Sequence, residues 1–421
     1  LIARDGAGDV KKIWPAILRV YRLQLICSIP FILLAIITTP LIVDEWKEFL
    51  SLLIICGLIA LTHIASYAPR SGLRAAGQAK LEAGTKVIER AVTVLGYFIL
   101  HSQGSSSATS FALVFLLGAA IGLIAALSFS SVILRPISDN SNSILSESWL
   151  DNKTLLLQAL PFAITLGVLP YVIRIEKFII ASEIGVEAAA LFHVAQLAWL
   201  AGLVVPQALR AALLPVLGEH RNDSDKFQSS LNNSLDLCLG ILPIGLFFGA
   251  GIVYFLLPIT FPEQYFDGSI GASAVDLFMI LLFGWCLTLM ATPTYTALQA
   301  GRKPWNFTFL IATVVIFATF VGYVLIDWQA AKSDGSGLYA GAIASSVTSG
   351  FLLLMSIHLS SNWSLINSRA PQILLAIFVS AITCYGLANS SWIAISGIIL
   401  FYFIPQGIQS ISSTDEKLSE T

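Results

Sequence analysis

Charged residues are scarce in this sequence, and their scarcity restricts the class of protein. Asp, Glu, Lys and Arg make up 11% of the 421 residues, and hydrophobic residues make up 56%. Soluble domains carry about 25% charged residues, and a mean hydropathy of +0.82 exceeds what such a domain can bury. The composition therefore excludes a soluble globular protein. The net charge of −2 gives no sign of a nucleic-acid partner.

Cysteine is also rare, and its spacing shows no metal or disulfide pattern. The five cysteines lie singly inside apolar stretches: Cys27, Cys56, Cys238, Cys286 and Cys384. We interpret them as small hydrophobic side chains in helices.

Motifs of common enzyme classes are missing, and so are long loops. The sequence contains no Walker A, HExxH or GxSxG motif. The longest outer loop that we predict, FPEQYFDGSIGASAVD, has 16 residues and is too short to hold a catalytic domain. These absences favour a protein that is not an enzyme and that needs neither a cofactor nor a metal.

Long apolar runs are what the sequence has in abundance. A helix needs about 20 largely apolar residues to cross a bilayer, because the hydrocarbon core offers no water to backbone groups. Such runs lie near 17–43, 48–68, 82–101, 109–134, 155–180, 187–215, 232–258, 272–299, 304–326, 335–358, 371–388 and 390–408. We therefore predict an all-α, polytopic membrane protein with about twelve transmembrane helices.

Lysine and arginine are distributed unevenly between the two sides of these helices. Short cytoplasmic loops carry an excess of both residues. With a cytoplasmic start, one side collects Arg4, Lys11, Lys12, Arg19, Arg22, Arg70, Arg74, Lys80, Arg135, Lys153, Arg221, Lys226, Arg302, Lys303, Arg369 and Lys417. The other side receives only Lys47 and Lys332. We expect both termini of the chain to be cytoplasmic.

An internal repeat indicates two lobes. SGLRAAGQAKLEAG around Gly77 and TALQAGRKPWNF around Gly301 each follow one apolar run and lead into the next, 224 positions apart. The surrounding runs recur in the same order, as in parallel-repeat transporters. The predicted parts are an N-terminal lobe (1–134), a cytoplasmic linker (135–154), a six-helix C-terminal lobe (155–358), and two trailing helices with a tail (359–421). Since the first lobe has only four helices, we expect two more upstream of Leu1.

The start of the second lobe resembles a known family. An Arg-Ile-Glu triplet (174–176) late in a predicted helix is followed by Gly185 and then by the small-residue and proline exit AALLP (211–215). The ALQAGR turn (297–302) and the GLYAGAIASSV helix start (337–347) fit the same pattern. This pattern resembles the polysaccharide (O-antigen type) flippases of the multidrug, oligosaccharidyl-lipid and polysaccharide exporter superfamily. The chain has Glu176 where that family usually has Asp.

The resemblance implies a function and a set of partners. It implies flipping of an undecaprenyl-pyrophosphate-linked oligosaccharide across a bacterial inner membrane, by alternating access, for cell-surface polysaccharide biosynthesis. The implied partners are this polyprenyl-pyrophosphate-linked glycan, membrane lipid, H⁺ or Na⁺ as the coupling ion, and the polysaccharide polymerase and chain-length regulator of the same pathway.

Basic residues within the predicted helices are candidates for binding the pyrophosphate. A cation inside a membrane helix usually faces a cavity or a partner. The candidates are Arg174, Lys177, Arg90, Arg210 and Arg22. Each also has a structural interpretation: an internal ion pair for Arg174 and Lys177, a surface pair among Lys86, Glu89 and Arg90, and anchoring at the membrane interface for Arg210 and Arg22.

Four further residues are candidates for ion coupling: Glu176, His193, Asp236 and Asp276. Asp236 and Asp276 are predicted to open helices, where dipole complementarity explains them equally well. His193 is a proton-relay candidate, and a polar contact with Gln196 is the alternative.

Other functions with the same overall plan remain open. A multidrug or cation antiporter would bind cations through acidic residues, whereas the charges within the predicted helices are mostly basic. A peptidoglycan-precursor flippase shares the plan of two lobes and trailing helices. A membrane glycan polymerase or transferase fits less well because it needs a larger catalytic loop.

Overall fold

The computed structural model describes residues 13–42, 46–105, 107–139, 152–220, 223–301, 304–330, 336–360 and 363–410. Every regular element in these ranges is helical. The chain divides into two compact units, Leu1–Asp151 and Asn152–Thr421. Most of the predicted linker, together with the chain start and the cytoplasmic tail, lies outside the described ranges, as do several of the loop lysines and arginines counted above.

Within the described part of unit 1 the chain forms four helices. They are α1 (Ile13–Ile42), α2 (Trp46–Ala75), α3 (Ala79–Ser102) and α4 (Ala108–Asp139). α2 packs against α1 and α4, and α3 packs chiefly against α4. Gly77, with φ of +74°, forms the turn between α2 and α3, a conformation that favours glycine.

The described residues of unit 2 form nine α-helices. They are α5 (Asn152–Val172), α6 (Ile175–Glu183), α7 (Val186–Gly202), α8 (Val204–Glu219), α9 (Ser224–Thr260), α10 (Ala274–Ala300), α11 (Pro304–Ala330), α12 (Ser336–Ser360) and α13 (Trp363–Ala388). A 3-10 helix, Trp392–Phe403, begins the last apolar segment. α10 lies at the centre of the unit, in contact with α7, α8, α9, α11, α12 and α13.

The described chain contains ten helical segments that are long and apolar enough to cross a membrane. All twelve predicted runs are helical. Two of these runs are not among the ten segments long and apolar enough to cross a membrane. One is α3, which carries five charged side chains, and the other is the run near 155–180, which is interrupted between α5 and α6. The fold class is the predicted one, an all-α polytopic membrane protein.

Two runs that we predicted as single helices are each broken. The first breaks at Ile173 and Arg174, three residues after Pro170, and the second breaks at Leu203. Arg174 therefore precedes α6 as its N-cap residue and does not lie within a continuous helix. Gly185 joins α6 to α7 with φ of +132°, so the short glycine loop is present where we predicted it.

The order of helix contacts in unit 1 recurs in unit 2. α10 packs against α9 and α12, and α11 packs against α12, just as α2 packs against α1 and α4 and α3 against α4. The proline inside α2, Pro69, and the proline inside α10, Pro293, are 224 positions apart, the same spacing as Gly77 and Gly301. Superposition of the two four-helix groups stays a prediction.

Candidate functional site

A buried ion pair joins α2 to α3 in unit 1. The Arg70 Nη2 atom lies 2.6 Å from Glu89 Oε2, and Arg70 Nε donates to Thr85 Oγ1 at 3.1 Å. All three residues are buried. The prediction that Arg70 lies in a loop was wrong, and the interpretation of Glu89 as part of a surface pair does not hold, because Glu89 is buried. α2 continues past the predicted end of its run, so Arg70 lies inside the helix bundle.

A second ionic group lies about two turns earlier on α3, around Glu82. Its Oε1 atom is 2.8 Å from Arg74 Nη2 and 2.9 Å from Lys86 Nζ. The predicted surface pair required Lys86 to pair with Glu89. In the structure Lys86 pairs with Glu82 instead. Together the two groups define the unit 1 charge cluster, which consists of Arg70, Arg74, Glu82, Lys86, Glu89 and Arg90.

Arg90 is the most exposed member of this cluster. Its side chain is 63% exposed, and its Nη2 atom is 3.9 Å from Glu89 Oε1. Its guanidinium lies 5.6 Å from the centre of the Phe115 ring on α4, a cation–π distance. Because Arg70 already occupies the other oxygen of Glu89, the Arg90 charge is only partly compensated.

Glycine on α4 makes room for the buried pair. A Cβ atom at Gly122 would lie 2.9 Å from both Cβ and Oε2 of Glu89 and 3.1 Å from Arg70 Nη2. These distances are shorter than ordinary van der Waals contacts, so only glycine fits there without a shift of its neighbours. The α3–α4 contact and the ion pair therefore depend on the same residue.

The remaining unit 1 candidate, Arg22, has an exposed side chain on α1. It lies in the third turn of that helix.

In unit 2, α6 and α7 bring Lys177 and His193 together. The Lys177 Nζ atom is 3.5 Å from His193 Nδ1. An ammonium group can only donate, so a hydrogen bond here requires a neutral His193 whose Nδ1 accepts. The alternative partner for His193, Gln196, instead donates from Nε2 to the backbone oxygen of Ile173 at 2.6 Å. Arg174 is exposed at the start of α6.

Glu176 has a different environment from its charged neighbours. Its side chain is buried, and neither carboxylate oxygen has a hydrogen-bond partner among the described residues. It lies against α11, where a Cβ atom at Gly322 would be 4.0 Å from Glu176 Cγ. The internal pair that we considered between Glu176 and its basic neighbours is absent from the described ion pairs.

The two aspartates have separate structural partners. Asp236 lies inside α9, not at its start as predicted, and its Oδ2 atom is 2.8 Å from Arg369 Nη2 on α13. Asp276 does lie in the first turn of α10, and it accepts a hydrogen bond from the Tyr339 hydroxyl at 3.4 Å. Asp236 thus joins α9 to α13.

Arg210, on α8, lines a cavity inside unit 2. Its side chain is half-buried. No described ion pair involves it. The structure therefore groups the candidate residues by unit: Arg90 with the unit 1 charge cluster, Lys177 with His193, and Arg210 with this cavity.

Sequence reasoning missed Arg70, Thr85 and Arg369 as members of polar clusters. One signal was available, since a glutamate in the middle of a membrane helix requires a partner. The partner's identity was not available, because Arg70 is 19 residues away on another helix. No group of three or more metal-ligating side chains occurs within the described ranges.

Comparison with known proteins identifies the fold. No protein-family model matches the chain, and no curated protein matches it. Among solved structures, it is similar to the lipid II flippase MurJ in an inward closed conformation, with 13% sequence identity and a TM-score of 0.55. The match covers 99% of this chain and 90% of that one. At this identity the likeness shows the fold of the chain, an all-α polytopic membrane fold, as predicted.

Proposed function

We propose that this protein flips an undecaprenyl-pyrophosphate-linked oligosaccharide across the membrane by alternating access. The observation that carries the proposal is the fold, which is similar over nearly the whole chain to that of a flippase for a lipid-linked glycan. On this proposal the protein is not an enzyme, and the cargo leaves chemically unchanged. It works in the bacterial inner membrane with both termini cytoplasmic, beside the polymerase and chain-length regulator of the pathway.

The balance of charge supports an anionic cargo. The unit 1 charge cluster contains four basic side chains and two carboxylates, an excess of two positive charges. In unit 2, Arg174 and Lys177 are accessible, whereas the neighbouring carboxylate of Glu176 is buried. Guanidinium and ammonium groups bind phosphate oxygens through charge-assisted hydrogen bonds. We assign Arg90 in unit 1, and separately Arg174 and Lys177 in unit 2, to contacts with phosphate oxygens of the cargo, and Arg22 to a supporting contact; Arg210 is left out of this set because it lines a cavity of its own.

A cationic drug fits this arrangement poorly. A cation site needs accessible carboxylates, but Glu82 and Glu89 are buried in ion pairs and Asp236 is paired with Arg369. The multidrug antiporter is therefore the weaker alternative.

Glu176 is our first choice for ion coupling. A buried carboxylate without a partner is costly to ionise, so binding of H⁺ or Na⁺ would stabilise it. We place His193, Asp236 and Asp276 behind it, because each of these has a protein partner. Glu176→Gln should remove the dependence of transport on an ion gradient and leave equilibrium binding of the glycan lipid intact.

Reconstitution tests the proposed function. The full-length protein in liposomes receives a fluorescent polyprenyl-pyrophosphate oligosaccharide, and accessibility to an external quencher reports the leaflet. We expect unchanged label to appear in the opposite leaflet, and Arg174→Gln to slow its appearance while protein levels stay normal. Label that is elongated or cleaved would show an enzyme, and export of a cationic dye alone would show a drug antiporter.

Lipid II is the second candidate cargo, because MurJ is described as a lipid II flippase. The same liposomes decide between the two cargoes when they contain equal amounts of labelled lipid II and labelled polyprenyl-pyrophosphate oligosaccharide. Faster movement of lipid II would assign the protein to peptidoglycan precursors. Faster movement of the oligosaccharide lipid would assign it to surface polysaccharide.

A further inference from the structure

A cavity of about 260 Å³ lies inside unit 2, with walls from α5, α7, α8, α10, α11 and α12. Most of its wall is apolar, with Phe307, Ile311 and Val314 of α11 on one side. Apolar walls with a few convergent polar groups are typical of small-molecule sites. The polar groups of this cavity therefore indicate what it binds.

Two buried polar atoms belonging to residues of the cavity wall have no hydrogen-bond partner in the described part of the chain. They are Trp199 Nε1 and Thr348 Oγ1. The residues are only 7% and 4% exposed. The indole of Trp285, by contrast, donates to the backbone oxygen of Gly202 at 2.8 Å. Buried donors are nearly always satisfied, so these two atoms indicate a ligand that accepts hydrogen bonds.

Arg210 gives the cavity its charge. It lines the same wall, and no Asp or Glu is among the lining residues that the structure describes. A guanidinium keeps its charge at any accessible pH and presents five N–H donors. In largely apolar surroundings such a charge is stabilised by an anion with oxygens at hydrogen-bonding distance. Charge and unpaired donors therefore indicate the same kind of ligand, an oxyanion.

We propose that this cavity binds the head of a single-chain anionic amphiphile, an alkyl carboxylate or an alkyl monophosphate, with Arg210 pairing with the anion. Trp199 and Thr348 donate to its oxygens, and the alkyl chain packs on Phe307 and Ile311. The volume is below the roughly 300–1,000 Å³ of drug-sized sites, so it suits a head group with the start of one chain. This site goes beyond the proposed function, because all of its groups lie in one unit and equilibrium binding requires no transport.

Calorimetric titration of the full-length protein in an uncharged detergent tests the proposal. The probes are decanoate, decyl phosphate, inorganic phosphate and decyltrimethylammonium. We expect one or both alkyl anions to bind more tightly than the other two probes. Preference for decyl phosphate would identify a lipid phosphate as the natural source, and preference for decanoate would identify a fatty acid.

Variants locate the binding. Arg210→Gln should weaken binding of the alkyl anion by about ten- to a hundredfold, the range for a hydrogen bond to a charged group. Thr348→Val, which keeps the side-chain volume, should weaken it by about three- to tenfold. Val314→Phe, which fills the cavity and keeps its charge, should abolish it. Lys226→Gln removes an exposed positive charge elsewhere in unit 2 and should change nothing.

Three results would overturn the proposal. One is equal affinity for decyltrimethylammonium, and another is equal affinity for inorganic phosphate, which would leave no role for the chain. The third is unchanged affinity in both Arg210→Gln and Val314→Phe. Melting curves accompany each variant, and if Arg210→Gln does not fold, Thr348→Val and Val314→Phe decide the question. Failure of glycan flipping in liposomes would leave these binding results unaffected.

Discussion

The second, third and fourth helices of unit 1 and the helices α10 to α12 of unit 2 pack in the same order but use different polar chemistry. At the spacing of 224, Pro69 and Arg70 correspond to Pro293 and Thr294. Where Arg70 forms a buried ion pair, Thr294 makes a hydroxyl–hydroxyl hydrogen bond of 2.6 Å with Ser356. Both side chains connect two helices of their unit.

This difference shows which polar contacts the helix packing requires and which charged groups are particular to unit 1. Unit 2 shows that hydroxyl groups are enough to satisfy the polar contacts beside the proline. Buried ion pairs are often no more stabilising than apolar or neutral replacements. The fold therefore does not require the unit 1 charge cluster. The net positive charge of the cluster, with Arg90 as its most exposed member, explains its presence better.

The largest effect is expected from breaking the ion pair on one side. Arg70→Met leaves the buried Glu89 without its main partner and should lower the free energy of unfolding by about 3–5 kcal/mol. Replacing both Arg70 and Glu89 by Thr, the residue found at both corresponding positions of unit 2, should restore much of this loss. Unfolding in detergent measures Arg70→Met, the double variant, and its single variants Arg70→Thr and Glu89→Thr. A double variant as unstable as the sum of its single variants would show that unit 1 cannot use the chemistry of unit 2.

A glycine on the fourth helix of each group gives the next effect. Gly122→Ala should destabilise the protein by about 1–3 kcal/mol, because the new Cβ collides with Glu89. Gly350 on α12 is the control, because a Cβ there would meet only Leu287 Cδ1 among the described residues, at 3.6 Å. Gly350→Ala should be neutral or stabilising by up to about 1 kcal/mol, since alanine favours helix. Equal melting temperatures for the two variants would contradict the account of α4.

The hydroxyl contact of unit 2 should matter less. Thr294→Val removes the bond to Ser356 and should cost about 0.5–1.5 kcal/mol. Thr313→Val is the control, because the Thr313 hydroxyl is exposed and bonds only to Phe309 of its own helix. The same unfolding assay should place Thr313→Val close to the unaltered protein. Thr313 corresponds to Glu89 at the spacing of 224. A loss of stability in Thr313→Val larger than that in Thr294→Val would mean that Thr313 has a structural role beyond its hydrogen bond to Phe309.

The smallest effect is expected at Glu176. Glu176→Gln should change the free energy of unfolding by no more than about 0.5 kcal/mol, or increase it, because no described ion pair is lost. Glu89→Gln is the comparison, and it should destabilise because Arg70 loses its charged partner. If Glu176→Gln unfolds as readily as Glu89→Gln, then Glu176 has a stabilising partner that its surroundings do not reveal.

Much of the fold was predictable because each spanning segment is a local property of the chain. All twelve runs are helical, and the glycine loops at Gly77 and Gly185 lie where the pattern placed them. The breaks at Ile173 and Leu203 were not predicted, because apolar composition continues across them. The extension of α2 to Ala75 was missed for the opposite reason, since Arg70 and Arg74 made its last turns look like a loop.

The sequence by itself determined the class of the protein, since the length of an apolar run must match the thickness of a bilayer. It also determined the basic character of the charges within the helices. Only the tertiary structure decided which charges meet. Arg70 is compensated by Glu89 and Asp236 by Arg369, 133 residues away, whereas Glu176 has no partner among the described residues and Arg210 lines a cavity. These pairings depend on the depth and rotation of separate helices, which packing sets and which the periodicity of one helix does not encode.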